Sequence, residues 1–64
     1  MRKYVSIYGD REKTLFVDRV AFDLPLAVSD AYLIICAQAE LRRARRLSEP
    51  QMASAAYHVE LAID

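Results

Sequence analysis

The sequence predicts a small α+β fold: an N-terminal β-hairpin followed by a long helix and a shorter C-terminal helix. Three observations carry this. Two runs rich in β-branched and aromatic residues flank the only glycine, Gly9. An apolar period of 3.6 residues then extends to Leu47. Finally, Ser48-Glu49-Pro50-Gln51 has the form of a capping box opening a last helical segment. That last segment has an alternative reading as a third strand.

Residues 3–8 read as a strand, with Val5 and Ile7 on one face and Tyr4, Ser6 and Tyr8 on the other. Gly9-Asp10-Arg11-Glu12 follows as a polar turn, in which glycine would supply a positive φ. Residues 14–22 resume the β pattern. Strict alternation there puts Phe16, Asp18, Val20 and Phe22 on one face, and Leu15, Val17, Arg19 and Ala21 on the other. A helix over 11–22 competes, because Val17, Val20, Ala21 and Leu24 also fit the helical period. Asp23-Leu24-Pro25 closes the strand, since proline biases the residue before it toward extended backbone, and Pro25 could itself occupy the first turn of the following helix.

Ser29 is a candidate N-cap, followed by Asp30 at the positive end of the helix dipole. Ile34, Ala37, Leu41 and Ala44 mark the apolar stripe of a helix running to Leu47. In the last segment, Pro50 suits a first helical turn, and Met52, Ala55, Ala56, Val59, Ala62 and Ile63 would share one side of a helix over 49–63. Tyr57, Val59, Leu61 and Ile63 also alternate with His58, Glu60 and Ala62, as a strand requires. Alanine content and the capping box favour the helix.

A chain of 64 residues has room for one domain. It buries only roughly 60% of its unfolded surface on folding. With one cysteine and one histidine, neither a disulfide nor a conventional zinc site can reinforce it. One glycine excludes a glycine-rich phosphate loop, and no CxxC, HExxH or GxSxG motif occurs. Cys36, within Leu33-Ile34-Ile35-Cys36-Ala37, reads as a small apolar side chain. His58 reads as an exposed histidine on the polar side of its segment. Neither catalysis nor a cofactor is expected, and no small-molecule substrate. The longest uncharged stretch, 31–39, is far below the roughly 20 residues that span a bilayer, so no membrane association is expected. A lone cysteine in an apolar segment suits a reducing, cytoplasmic setting.

Nine basic and nine acidic residues cancel overall but are unevenly placed, with four arginines between 42 and 46. On a continuous helix Arg42, Arg45 and Arg46 would project to one side and could clamp phosphates. Such a patch without a recognition motif would bind nucleic acid weakly and with little sequence preference. The stronger signal is excess apolar surface. Residues 31–39 carry no charge on any side, which demands burial nearly all round. Neither face of the hairpin is clearly polar, and a two-stranded ribbon is marginal by itself. The expected function is therefore a small, non-enzymatic regulatory or accessory protein. It would act by protein–protein binding, as a homodimer or with another protein, through Tyr4, Tyr8, Phe16, Phe22, Ile34 and Ile35. Nucleic-acid binding through Arg42, Arg45 and Arg46 is the alternative.

Overall fold

The computed structural model describes residues 2–24 and 27–62. The elements run β1 (Arg2–Tyr8), β2 (Phe16–Asp23), α1 (Asp30–Arg43), α2 (Glu49–Ser54) and β3 (Ala56–Leu61). The expected hairpin, long helix and short helix are all present, in an α+β arrangement. The three strands form one antiparallel sheet in the order β2-β1-β3, so the N-terminal strand is central. Pro25 and Ile63, placed by the sequence reading at the strand end and on the last helix, lie outside the described residues.

Alternation in β1 sends Val5 and Ile7 to the face under α1, where they meet Val20 from β2. Leu33, Ala37 and Leu41, one helical turn apart, close over them, and Met52 of α2 completes the buried core. Phe22, Leu24, Val28, Ile34, Leu47, Ala55, Tyr57 and Val59 pack around its rim. Burying one such aliphatic side chain is worth about 1.5–3 kcal/mol. With so few fully buried residues, each is a sizeable share of the total.

Both predicted caps form. The Ser29 hydroxyl accepts from the Tyr32 N–H at 3.2 Å. At Ser48 the hydroxyl accepts from Gln51 N–H, while the Gln51 side chain accepts from Ser48 N–H at 2.8 Å.

Four expectations are corrected. The first concerns α1, which stops at Arg43 instead of Leu47. Arg45 adopts the left-handed region (φ 55°). Its N–H donates to Arg42 at 3.1 Å and that of Arg46 to Leu41 at 2.9 Å. This pairing is a Schellman stop.

Second, the preferred helix over 49–63 is cut short after Ser54, and the alternative third strand forms. Ala55 is extended (φ −78°, ψ 155°). Central β1 offers a second edge whose backbone groups need partners, and β3 supplies them, with Glu60 opposite Tyr4 and His58 opposite Ser6. Long-range pairing thus outweighs local helix propensity.

Third, Gly9 does not supply the left-handed turn residue; Lys13 does, at φ 60°. Fourth, the β1–β2 register shifts between Ile7 and Tyr8, so Tyr8 faces Phe16. The shift breaks strict alternation and separates Phe16 from Val20 and Phe22.

Candidate functional site

Because α1 and α2 cover one face of the sheet, the other is left without a layer over it among the described residues. Register places on that open face Tyr4, Ser6 and Tyr8 from β1, Phe16, Arg19 and Ala21 from β2, and Ala56, His58 and Glu60 from β3. Arg19 is its hub. Its guanidinium carbon sits 5.0 Å from the Tyr4 ring centre and 5.5 Å from that of Phe16. Its Nε donates to Ser6 Oγ at 3.2 Å, and its Nη2 lies 3.8 Å from Glu60 Oε1. Tyr8 and Phe16 meet edge to face with ring centres 6.0 Å apart. Ser6 is fully buried beneath this layer, its hydroxyl satisfied by Arg19.

At the hairpin end three consecutive apolar residues face solvent: Leu15, Phe16 and Val17 are 63%, 55% and 47% exposed. The loop before them is tied by Asp10, whose carboxylate accepts from Thr14 N–H at 2.9 Å, from the Thr14 hydroxyl, and from Leu15 N–H at 2.9 Å. The Thr14 hydroxyl bond, followed by the Leu15 amide, holds the Asp10 carboxyl below its ordinary range. Beside this loop a cleft of about 190 Å³ is lined by Ile7, Gly9, Val17, Leu47 and Ala55, among others. A small-molecule pocket typically measures roughly 300–1,000 Å³.

The outer side of α1 exposes Tyr32 and Ile35 together with Ala31 and Ala39. The chain itself therefore does not supply the all-round burial expected of 31–39. Of the six residues expected to bind a partner, Tyr4, Tyr8 and Phe16 are gathered around Arg19. Ile35 is exposed on the helix, and Phe22 and Ile34 pack against the core. Arg19, Leu15 and Leu61 were not singled out from the sequence. Arg19 carried a signal, being a charge set among apolar alternating positions. Leu15 and Leu61 had none, because their exposure depends on which elements end up covering them.

The arginines are redistributed by the early end of α1. Arg42 donates to Glu49 and Arg43 to Glu40; each contact holds the arginine's proton more firmly, and the Arg43 contact depresses Glu40. Arg46 donates to Asp18 on β2. Arg45 has no acidic partner among the described residues. Arg42, Arg45 and Arg46 nevertheless line one open groove of about 570 Å³, with Leu47, Ser48, Glu49 and Gln51. Turn geometry, and not a shared helix face, brings them together.

Cys36 is half-buried and unbonded to any other cysteine, and His58 is exposed opposite Ser6. Among the described residues no group of three or more His, Cys, Asp or Glu side chains could hold a metal ion. No described helix is long and apolar enough to cross a membrane. No family model matches the sequence, and comparisons with curated proteins and with solved structures give no match.

Proposed function

We propose that this chain is a non-enzymatic regulatory or accessory protein that works by binding protein, and that it is a homodimer. The observation that carries this reading is the coincidence of unpaired sheet edges with exposed apolar residues. Among the described residues, both β2 and β3 end the sheet without a neighbouring strand, and Leu15, Phe16 and Val17 lie exposed beside one of them, Leu61 on the other. Free edges pair readily with other chains, and native proteins normally blunt them with charge or proline. Tyr32 and Ile35 add a third exposed apolar site on α1. The Tyr4, Tyr8, Phe16 and Arg19 layer has the composition of an interface centre, where aromatics and arginine are enriched.

The test is light scattering during size-exclusion chromatography over a dilution series. A folded monomer persisting from low to high micromolar concentration overturns the homodimer.

A second reading, nucleic-acid binding, is supported by the groove that brings Arg42, Arg45 and Arg46 together. It is weakened by the carboxylates already held by Arg42 and Arg46. A mobility shift that survives in the triple Arg→Ala variant would end it.

A further inference from the structure

The sequence of β3 is close to self-complementary. Read outward from Val59, it places His58 against Glu60, Tyr57 against Leu61 and Ala56 against Ala62. Antiparallel pairing of β3 with itself about a two-fold axis at Val59 would set each of these residues opposite its counterpart in the second chain.

The backbone is disposed for this. Ala62 N–H donates to the Arg2 carbonyl at 3.0 Å, so Arg2 and Ala62 form a bonded pair. By the alternation of antiparallel ladders, His58 and Glu60 also turn their backbone groups toward β1. Those of Tyr57, Val59 and Leu61 therefore point off the sheet. In the two-fold arrangement Val59 would exchange both backbone bonds with Val59 of the second chain, and Tyr57 would do so with Leu61.

The side chains agree on both faces. On the open face His58 and Glu60 fall at non-bonded positions, where cross-strand side chains come closest, so the seam carries a basic–acidic pair on each side of the axis. Glu60 lies only at the long 3.8 Å distance from its own Arg19, leaving carboxylate capacity for a second donor. On the helix face Leu61, 60% exposed in the single chain, would be covered by Tyr57 of the second copy.

We infer that β3 is the homodimer seam, pairing antiparallel with β3 of a second copy in a register centred on Val59. This rests on the homodimer reading above and names its surface. The two three-stranded sheets become one continuous sheet, with both α1 helices on the same face. The aromatic layers around Arg19 lie together on the other face, and the exposed hairpin end stays free for a different partner.

Cysteine cross-linking reads the register. In a Cys36→Ala background, Val59→Cys puts two thiols at a bonded cross-strand pair, about 5.5 Å apart at Cα, within the span a disulfide accepts. Leu61→Cys is more exposed. In this register, however, its two copies stand four residues out of step, roughly 13 Å apart along the strands. Mild oxidation should cross-link the Val59→Cys chain and not the Leu61→Cys chain. Equal or preferred cross-linking of Leu61→Cys, or none at Val59→Cys in a chain that still sediments as a dimer, overturns the seam and leaves the homodimer standing. A monomer throughout the concentration range overturns both.

A second set of variants does not depend on the cysteine chains folding. His58→Glu should weaken dimerisation roughly tenfold by facing two carboxylates across each side of the axis. The double exchange His58→Glu, Glu60→His should restore it. An unchanged dissociation constant in His58→Glu, or no recovery in the double variant, refutes the pairing.

Discussion

Arg45 should be a place where removing a side chain makes the protein more stable. Its φ of 55° lies in the left-handed region, which costs an L-residue about 1–2 kcal/mol. The conformation is imposed by the helix stop, since the Arg45 and Arg46 amides reach the Arg42 and Leu41 carbonyls only from there. Glycine removes the steric penalty but adds about 0.4–1 kcal/mol of unfolded-state entropy. The guanidinium has no acidic partner among the described residues, so little attraction is lost. Arg45→Gly should therefore stabilise by about 0.5–1 kcal/mol, which for a domain this small raises Tm by roughly 2–8 °C. Arg45→Ala is the control, because it deletes the same charge and keeps the strained φ. Thermal unfolding by circular dichroism at one fixed protein concentration measures both, holding any contribution of association constant. A Tm for Arg45→Gly at or below wild type refutes the conformational reasoning. An equal gain in Arg45→Ala would assign the effect to relief of charge repulsion instead.

Other perturbations test the core, the cap and the hairpin loop. Leu41→Ala empties a fully buried site under α1 and should cost about 2–5 kcal/mol, enough to leave much of the chain unfolded at 25 °C by far-ultraviolet circular dichroism. Retention of a wild-type melting curve would deny that α1 closes the core. Ser48→Ala removes one half of the capping box and should cost about 1 kcal/mol in urea unfolding. Asp10 is held below its ordinary pKa in the folded chain, so its contribution is present above the unfolded value near 3.8 and is lost as pH falls through that region. Thr14→Val removes the largest cause of that depression. The difference in urea midpoint between pH 6 and pH 3 should narrow in the variant, and an unchanged difference would show that Asp10 contributes nothing to acid sensitivity.

Local chemistry made part of this fold readable from the chain alone. The alternation of β1, the caps at Ser29 and Ser48, and the burial of Ala37 and Leu41 are written in short-range spacing, because strand pleat, capping hydrogen bonds and helical period involve only near neighbours. Of the rest of the expected stripe, Ile34 is only partly buried and Ala44 is exposed, and Leu33 fills the core instead. The expectation of unshielded apolar surface came from the same source, since an uncharged stretch of helix is visible without knowing what packs on it. For the surface itself, Tyr4, Tyr8 and Phe16 are recognisable as candidates, although strict alternation predicts for Phe16 the face it does not occupy.

Tertiary structure decided the rest. Residues 56–61 satisfied helical and strand patterns alike, and the unpaired edge of β1 chose between them by offering backbone partners that an isolated helix lacks. Phe16 changed faces because the register of β2 against β1 slips at Tyr8. Arg42, Arg45 and Arg46 share a groove because α1 ends at Arg43 and the chain turns, an outcome set where the Arg45 and Arg46 amides find the carbonyls of Arg42 and Leu41. Which apolar residues remain exposed, and therefore where a second chain can pair, depends on the layers that cover them. Covering brings together elements far apart in sequence, so its outcome is a property of the folded sheet and not of any local run of residues.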